Sequence, residues 1–313
     1  MAHRAGGSGH RRRYADLGGL TAPRYREWQR EPLHNVHHDT ALDALASALV
    51  ASRFPTVVTG AGVSAASGIA TFRSGPGALW SRETMEKATL RYFRQQPADS
   101  WRWYAARLAA IAAAEPNPGH RALAELHDLL AGHGRRLRLI TQNIDGLHRR
   151  AAPAQDLIEV HGSARLARCA DDRCCAAHDG GLVPAAALDI DALGAGDADL
   201  PRCAHCDGPL RPHVLWFDEY YDRHPAYRFD DLQHWAALGD LFLFVGTSFS
   251  VGVTDYLLRE HVLGRHIPGF SIDAAGEDAG GLLTALPGAS EALLPALLAH
   301  CRERLPSPPV PRG

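Results

Sequence analysis

The chain has 313 residues, 46% hydrophobic and 22% charged, with 33 basic residues against 35 acidic ones and a formal net charge of −2. That is the composition of an ordinary globular protein able to bury a core, and its near-neutral balance argues against nucleic acid as a partner of the whole molecule. No apolar run of about 18 residues appears and the first residues lack the apolar centre of a secretory signal, so no membrane span is expected and a cytoplasmic location is.

In chain order, residues 1–40 read as a flexible extension that carries Arg11-Arg12-Arg13 among glycines and histidines. Leu42 to Ser52 has helical apolar spacing. Pro55-Thr56-Val57-Val58-Thr59-Gly60 reads as a short buried strand ending in glycine, with a helix beginning near Val63. Residues 75–115 are rich in Trp, Tyr, Arg and Ala and are predicted helical until Pro116-Asn117-Pro118-Gly119 stops them. His120 to Leu130 is a further helix, and Leu137–Thr141 and Leu157–Val160 are strands. Residues 168–209 break the rhythm and read as an inserted module, with Leu210–Phe217 as the return to the main body. Leu241–Gly246 is a buried strand, 252–264 contains a helix, Phe270–Asp273 is the last strand expected, and a helix follows Ser290. The Pro-rich residues 306–313 read as a disordered tail.

This alternation implies a parallel sheet covered on both faces. The expected fold is therefore α/β: a Rossmann-like doubly wound parallel sheet built from residues 41–167 and 210–305, with an inserted small zinc-binding and helical domain whose helical segment spans about 75–118.

Three groups of residues carry chemistry. The first is the turn Thr59-Gly60-Ala61-Gly62-Val63-Ser64 directly after a strand. A backbone that approaches a pyrophosphate must lack side chains at the contact, and the helix behind it offers free N–H groups. Gly60 and Gly62 suit that role or tight packing equally, with Ser64 as a hydroxyl donor; Phe72-Arg73 adds an aromatic plate and a fixed cation. The second group stands at two other strand ends, where parallel sheets bind ligands: Gln142, Asn143 and Asp145 after one, His161-Gly162 after the other. Asn and Asp also terminate strands as turn formers. An imidazole at a strand end suits a general base, whereas His148 reads as an ordinary partly buried histidine.

The third group is the cysteines. Five of six fall in one short stretch: Cys169, Cys174, Cys175, Cys203 and Cys206. Without a secretion signal, clustered pairs read as metal ligands. Cys169, Cys174, Cys203 and Cys206 are the chosen tetrad, a closed structural zinc site, with Cys175, His178 and His205 as alternatives. Asp171, Asp172 and Asp207 among the ligands argue against a nucleic-acid ribbon.

Taken in order, Gly-Ala-Gly-Val-Ser with Ser-Gly-Ile and Phe-Arg, Thr-Gln-Asn-Ile-Asp with Leu-His, Glu-Val-His-Gly, the cysteine pairs, Arg211-Pro212-His213-Val214-Leu215-Trp216-Phe217 and Gly246-Thr247-Ser248 resemble the sirtuins, NAD-dependent protein deacylases. The resemblance runs from Val57 to about Asp273. It implies NAD+ as co-substrate, one structural Zn2+ and acylated lysine side chains as substrate. It implies that Gly60, Ala61, Gly62, Ser64, Phe72 and Arg73 wrap the dinucleotide, with Gln142 and Ile144 alongside. Asn143 and Asp145 would face the nicotinamide ribose and carboxamide, and Gly246, Thr247, Ser248 and Asp273 the adenosine side. In the implied reaction the acyl oxygen attacks the ribose carbon as nicotinamide leaves, and His161 then helps a ribose hydroxyl attack the acyl carbon. The products are nicotinamide, O-acyl-ADP-ribose and free lysine.

Val214, Trp216 and Phe217 resemble the strand to which an extended peptide adds. Tyr104 and Arg107 resemble the Tyr-x-x-Arg pair of the acidic-acyl branch, class III, which binds a succinyl or malonyl carboxylate. Three positions depart from the family pattern: Asp218 replaces a usual glycine, Asp273 a usual asparagine and Ala70 a frequent proline. Asp218, placed to crowd the peptide, keeps open NAD hydrolysis or ADP-ribosyl transfer by the same site; a non-catalytic NAD sensor is the third reading.

Overall fold

A computed structural model describes residues 38–70, 82–152, 156–174, 181–190, 193 and 199–305. Phe72, Arg73, Cys175, His178, the Arg-rich extension and the Pro-rich tail lie outside the described residues.

In chain order, α1 (His38–Ala51) leads to β1 (Pro55–Thr59) and a 3-10 turn (Ala61–Ser67). The short helices α2 (Arg82–Lys87) and α3 (Leu90–Gln95) precede α4 (Pro97–Ala113) and α5 (Pro118–Ala131). Then come β2 (Arg138–Thr141), α6 (Leu147–Ala151), β3 (Leu157–Glu159), β4 (Gly162–Cys169), β5 (Val183–Pro184) and β6 (Leu210–Val214). The chain continues through α7 (Phe229–Leu238), β7 (Leu241–Val245), α8 (Gly252–Tyr256), β8 (Gly269–Asp273), β9 (Thr284–Pro287) and α9 (Ser290–Arg304).

Six strands form one sheet in the order β3-β2-β1-β7-β8-β9, and every pairing in it is parallel. β1 and β7 are buried along their whole length. Side chains alternate between the two faces. Val57, Leu139 and Leu243 face a core shared with α1, α5 and α9, while Val58, Ile140 and Phe244 face one shared with α7 and α8. Burial on both faces explains why these strands read as continuous apolar runs. α5 starts where the prolines end the preceding helix. Pro118 takes the first helical position, and the Asn117 side chain accepts from the amides of Gly119 and His120 at 2.9 and 3.3 Å.

A second, three-stranded antiparallel sheet has the order β5-β4-β6. This differs from the expectation that Leu210–Phe217 rejoins the main body. β6 pairs with β4 instead, Cys169 opposite Leu210, and the main sheet resumes only at β7. The physical reason is a separate apolar cluster in which Leu210, Val214 and Trp216 pack with Phe93, Trp101, Tyr104 and three of the cysteines. A further strand, β9, adds to the sheet beyond β8, which was expected to be the last. After the glycine turn the helix expected near Val63 is present as 3-10 geometry and starts at Ala61.

Candidate active site

The carboxyl ends of the parallel strands share one edge. β2 and β3 continue the sheet on one side of β1, and β7, β8 and β9 on the other, so the topological switch lies between β1 and β7. The turns after these two strands touch. The Gly60 amide donates to the Val245 carbonyl at 3.0 Å and the Gly62 amide to the Gly246 carbonyl at 2.9 Å. A β-carbon on Gly62 would stand 2.6 Å from the Gly246 α-carbon, and one on Gly60 would stand 2.7 Å from the Gly246 oxygen. Packing of backbone on backbone therefore requires these glycines, and Gly246, at φ +58°, requires it from the other side. Ala61 lies half-buried between the two glycines.

Behind the turn is a closed polar network. Ser64, fully buried, donates to Asp145 Oδ2 at 2.8 Å. Asn143 Nδ2 donates to the Ser64 hydroxyl and to the Gly60 carbonyl, both at 3.1 Å. Asp145 Oδ1 accepts the Leu147 amide at 2.9 Å. Burial raises the Asp145 carboxyl above its ordinary value, and the bonds from Leu147 and Ser64 oppose that rise. The hydroxyl of Ser64 is thus committed to orienting Asp145. His120 completes the group: its Nδ1 accepts the Asn117 amide at 3.3 Å, which leaves Nε2–H facing Ser64 at 3.4 Å. His120 and Asn117 were not singled out from sequence, where the capping pattern after Pro116 was their only trace.

Gln142 donates to the Thr59 carbonyl at 3.3 Å and to the Thr247 hydroxyl at 3.2 Å, bridging β1, β2 and β7. Ile144 packs against the small lobe, and its carbonyl accepts the Ala164 amide at 2.9 Å. Ser248 pairs with Ser250 at 3.0 Å, and the Asp273 carboxylate caps its own turn at the Ala275 amide, 2.8 Å. His148 is buried against the Thr59 hydroxyl at 3.0 Å and holds its proton affinity well below normal, a core histidine.

His161 follows β3. Gly162, at φ +77°, turns the chain so closely that a β-carbon there would stand 2.2 Å from the His213 oxygen. His161 Nδ1 lies 2.9 Å from the Gln142 carbonyl. A carbonyl only accepts, so Nδ1 carries the proton and Nε2 holds the lone pair. Nε2 lies 3.2 Å from the Tyr221 hydroxyl. Burial brings the imidazole down to about 4, the Gln142 bond opposing it, so the ring is neutral near pH 7. Tyr221 carried no spacing signal in the sequence.

On the small lobe, Val214 and Trp216 are buried and Phe217 is exposed. The Leu215 amide bonds the His161 carbonyl at 2.9 Å, and the Phe217 amide the Ala88 carbonyl at 3.1 Å. Asp218 turns away from the strand: its carboxylate accepts the Leu90 and Arg91 amides at 2.6 and 3.0 Å, covering free donors at the start of α3. Tyr104 is buried, and its hydroxyl accepts the Trp216 indole N–H at 2.8 Å. Arg107 stacks over Trp103 at 3.2 Å and donates to the Trp103 carbonyl at 3.1 Å.

The sulfurs of Cys169, Cys174, Cys203 and Cys206 all lie within 4.8 Å of one another. Cys169 and Cys206 are 3.6 Å apart, Cys174 and Cys203 3.8 Å. A zinc ion with Zn–S of about 2.3 Å sets tetrahedral sulfur–sulfur edges of about 3.8 Å, so the tetrad fits zinc. His205 lies exposed beside it.

The Sir2 family model matches residues 60–253. The chain is 39% identical over 226 residues to "NAD-dependent protein deacylase sirtuin-5, mitochondrial" of Canis lupus familiaris, covering 68% of this chain and 70% of that one. A solved structure described as a Sir2 homolog–NAD complex matches with a TM-score of 0.70 and 32% identity, covering 84% of this chain and 95% of that one. Another, a Sir2–p53 peptide–NAD+ complex, matches with a TM-score of 0.65 and 25% identity over 82% and 96% of the two chains.

Proposed function

The chain belongs to the Sir2 family, and on that premise we propose that it removes acyl groups from protein lysine side chains, consuming NAD as a co-substrate. The observation that carries this reading is His161: a neutral imidazole, its Nδ1–H held by Gln142, with a basic Nε2 beside the same strand ends that bear Asn143 and Asp145. NAD supplies an electrophilic sugar carbon with nicotinamide as leaving group. The chain's own residues do the rest. The turns of Gly60–Gly62 and Gly246–Ser248, packed backbone on backbone, stand at the switch point where open α/β sheets bind dinucleotides. Asn143 and Asp145, locked by Ser64, hold fixed dipoles at the nicotinamide end. His161 Nε2 takes the proton of a sugar hydroxyl as that oxygen attacks the acyl carbon. The carbon–nitrogen bond to lysine then breaks and, with one water consumed, the products are nicotinamide, O-acyl-ADP-ribose and free lysine. Cys169, Cys174, Cys203 and Cys206 would hold a zinc ion that ties the small lobe together and leaves no open ligand position. Such thiols need a reducing compartment, which supports the cytoplasmic placement. Among the described residues no helix is long and apolar enough to cross a membrane.

The substrate peptide adds along Val214–Phe217, with Phe217 exposed to meet it. Asp218 was the ground for a hydrolase reading, and its carboxylate is spent on α3 rather than on the peptide path. Arg107 supports acidic acyl groups. Its guanidinium is half-buried, and burial lowers its proton affinity while Tyr104 and Glu83 oppose that; a succinyl or malonyl carboxylate would supply a direct counter-charge.

The test is incubation with NAD and acetyl-, succinyl- or malonyl-lysine peptides, following nicotinamide and peptide mass. Peptide-dependent nicotinamide release with loss of the acyl mass is expected. Release without peptide would indicate hydrolysis, and no release a sensor. Arg107→Met should lower succinyl removal about tenfold to a hundredfold relative to acetyl removal; equal loss on both substrates would reject the carboxylate pocket.

A further inference from the structure

Tyr221 stands in a three-residue 3-10 turn (Tyr221–Arg223) of the segment that joins β6 to α7. Its ring is stacked between two others: Phe229, centroids 4.8 Å apart at 16°, and His161, 5.8 Å apart at 26°. Burial raises the proton affinity of its phenol, so the hydroxyl keeps its proton near neutral pH. Among the described residues, its hydroxyl pairs with His161 Nε2 at 3.2 Å, to which it can donate. The result is two donors in series: Tyr221 O–H to His161 Nε2, and His161 Nδ1–H to the Gln142 carbonyl.

Nε2 has a single in-plane lone pair. In this structure the phenol holds it. A sugar hydroxyl must donate to the same lone pair before His161 takes its proton, so phenol and sugar compete for one acceptor. We propose that Tyr221 is a positioning residue that caps the basic nitrogen of His161 while the site is empty and yields it to the cofactor's sugar hydroxyl. This rests on the reading of His161 as the general base. Between turnovers the phenol keeps the imidazole in one tautomer and aims it at the cleft. The stack on Phe229 holds the phenol in register.

Titratable groups on the adjoining elements are Asp145 after β2, Glu159 on β3, Arg223 in the turn itself and Asp255 on α8. Asp255 is engaged with Arg259 at 2.7 Å. The low proton affinity of His161 comes from burial against the Gln142 bond, and from none of these charges.

Tyr221→Phe keeps the stacked ring and deletes the donor. In the ligand-free full-length protein, the titration of His161 followed by 15N NMR should move up by about half a unit to one unit, because a hydrogen bond that favoured the neutral ring is gone. An unchanged midpoint in a folded variant overturns the cap. Calorimetric titration with ADP-ribose should give about twofold to tenfold tighter binding to Tyr221→Phe, since no phenol has to be displaced. Equal or weaker binding overturns the competition. So does a fall in kcat without a gain in ADP-ribose affinity, which would make the phenol a proton carrier instead. If neither protein binds ADP-ribose, the cofactor reading of the site falls and takes the cap with it; a missing NMR shift removes the cap alone.

Discussion

Among the described residues burial lowers the proton affinity of five histidines: His120 and His161 to about 4, His213 to about 2, His148 well below its ordinary 6.5, and His261. A histidine whose folded-state proton affinity is depressed leaves the unfolded chain as the better proton acceptor. Stability then rises with pH between the two values and is lost as pH falls from 6.5 toward the folded value. Buried His120, His148 and His213 each work in this direction, with a slope of up to about 1.4 kcal/mol per pH unit and group. Burial raises the carboxyls of Asp145 and Glu159, which act in the opposite sense within the carboxylate range. The thermal midpoint should therefore be level above pH 7 and fall steeply below about 6.5. A midpoint unchanged down to pH 5 would show that these rings are not held neutral. At this scale the placement of Asn143, Asp145 and His161 at strand ends was legible from residue type and spacing. The wiring that orients them was not: Ser64 read as a hydroxyl free for a phosphate, but only three-dimensional contact reveals that its proton goes to Asp145. Tyr221 sits 60 residues from its partner, with no periodicity to mark it.

Between elements, two contacts carry testable weight. Asp218 fastens the end of the β6 segment to α3 through the Leu90 and Arg91 amides. Asp218→Ala should cost about 1 kcal/mol in urea unfolding, the usual size of a lost helix-end acceptor; an unchanged midpoint would mean the bonds contribute nothing. Gly62→Ala drives a β-carbon to 2.6 Å from Gly246, backbone against backbone, where no side chain yields. A loss of about 1–3 kcal/mol is expected from overpacking, together with weakened ADP-ribose binding, measured by denaturation and calorimetry; wild-type values for both would deny that the two turns meet. Six of the nine strands among the described residues were readable as apolar runs or as strand ends with chemistry attached. Strand partners were not, because Leu-Arg-Pro-His-Val is equally at home in either sheet and only packing with the cysteine lobe decides. β9 was missed since Thr284-Ala285-Leu286-Pro287 is short and ends in proline, a residue that an edge strand tolerates.

The whole molecule rests on two separate kinds of core. The main sheet is held by apolar packing on both faces. The small lobe has a thinner cluster completed by cysteine side chains, and such a lobe depends on its metal. Chelation, or Cys203→Ser, should red-shift the fluorescence of Trp101 and Trp216, which pack in that cluster, while amide protection of β1 and β7 persists. Uniform loss of protection across both lobes would contradict this division. The two lobes meet where His161 passes from the large sheet into β4, its carbonyl accepting the Leu215 amide.

The most direct measurement compares wild type with His161→Ala on an acyl-lysine peptide, NAD and labelled nicotinamide, scoring label exchange into NAD and acyl removal in the same tube. Exchange needs only nicotinamide departure and return, so it should persist in the variant, while acyl removal should fall about a hundredfold to ten-thousandfold for want of a base. Acyl removal at the wild-type rate in a folded His161→Ala protein would contradict the account.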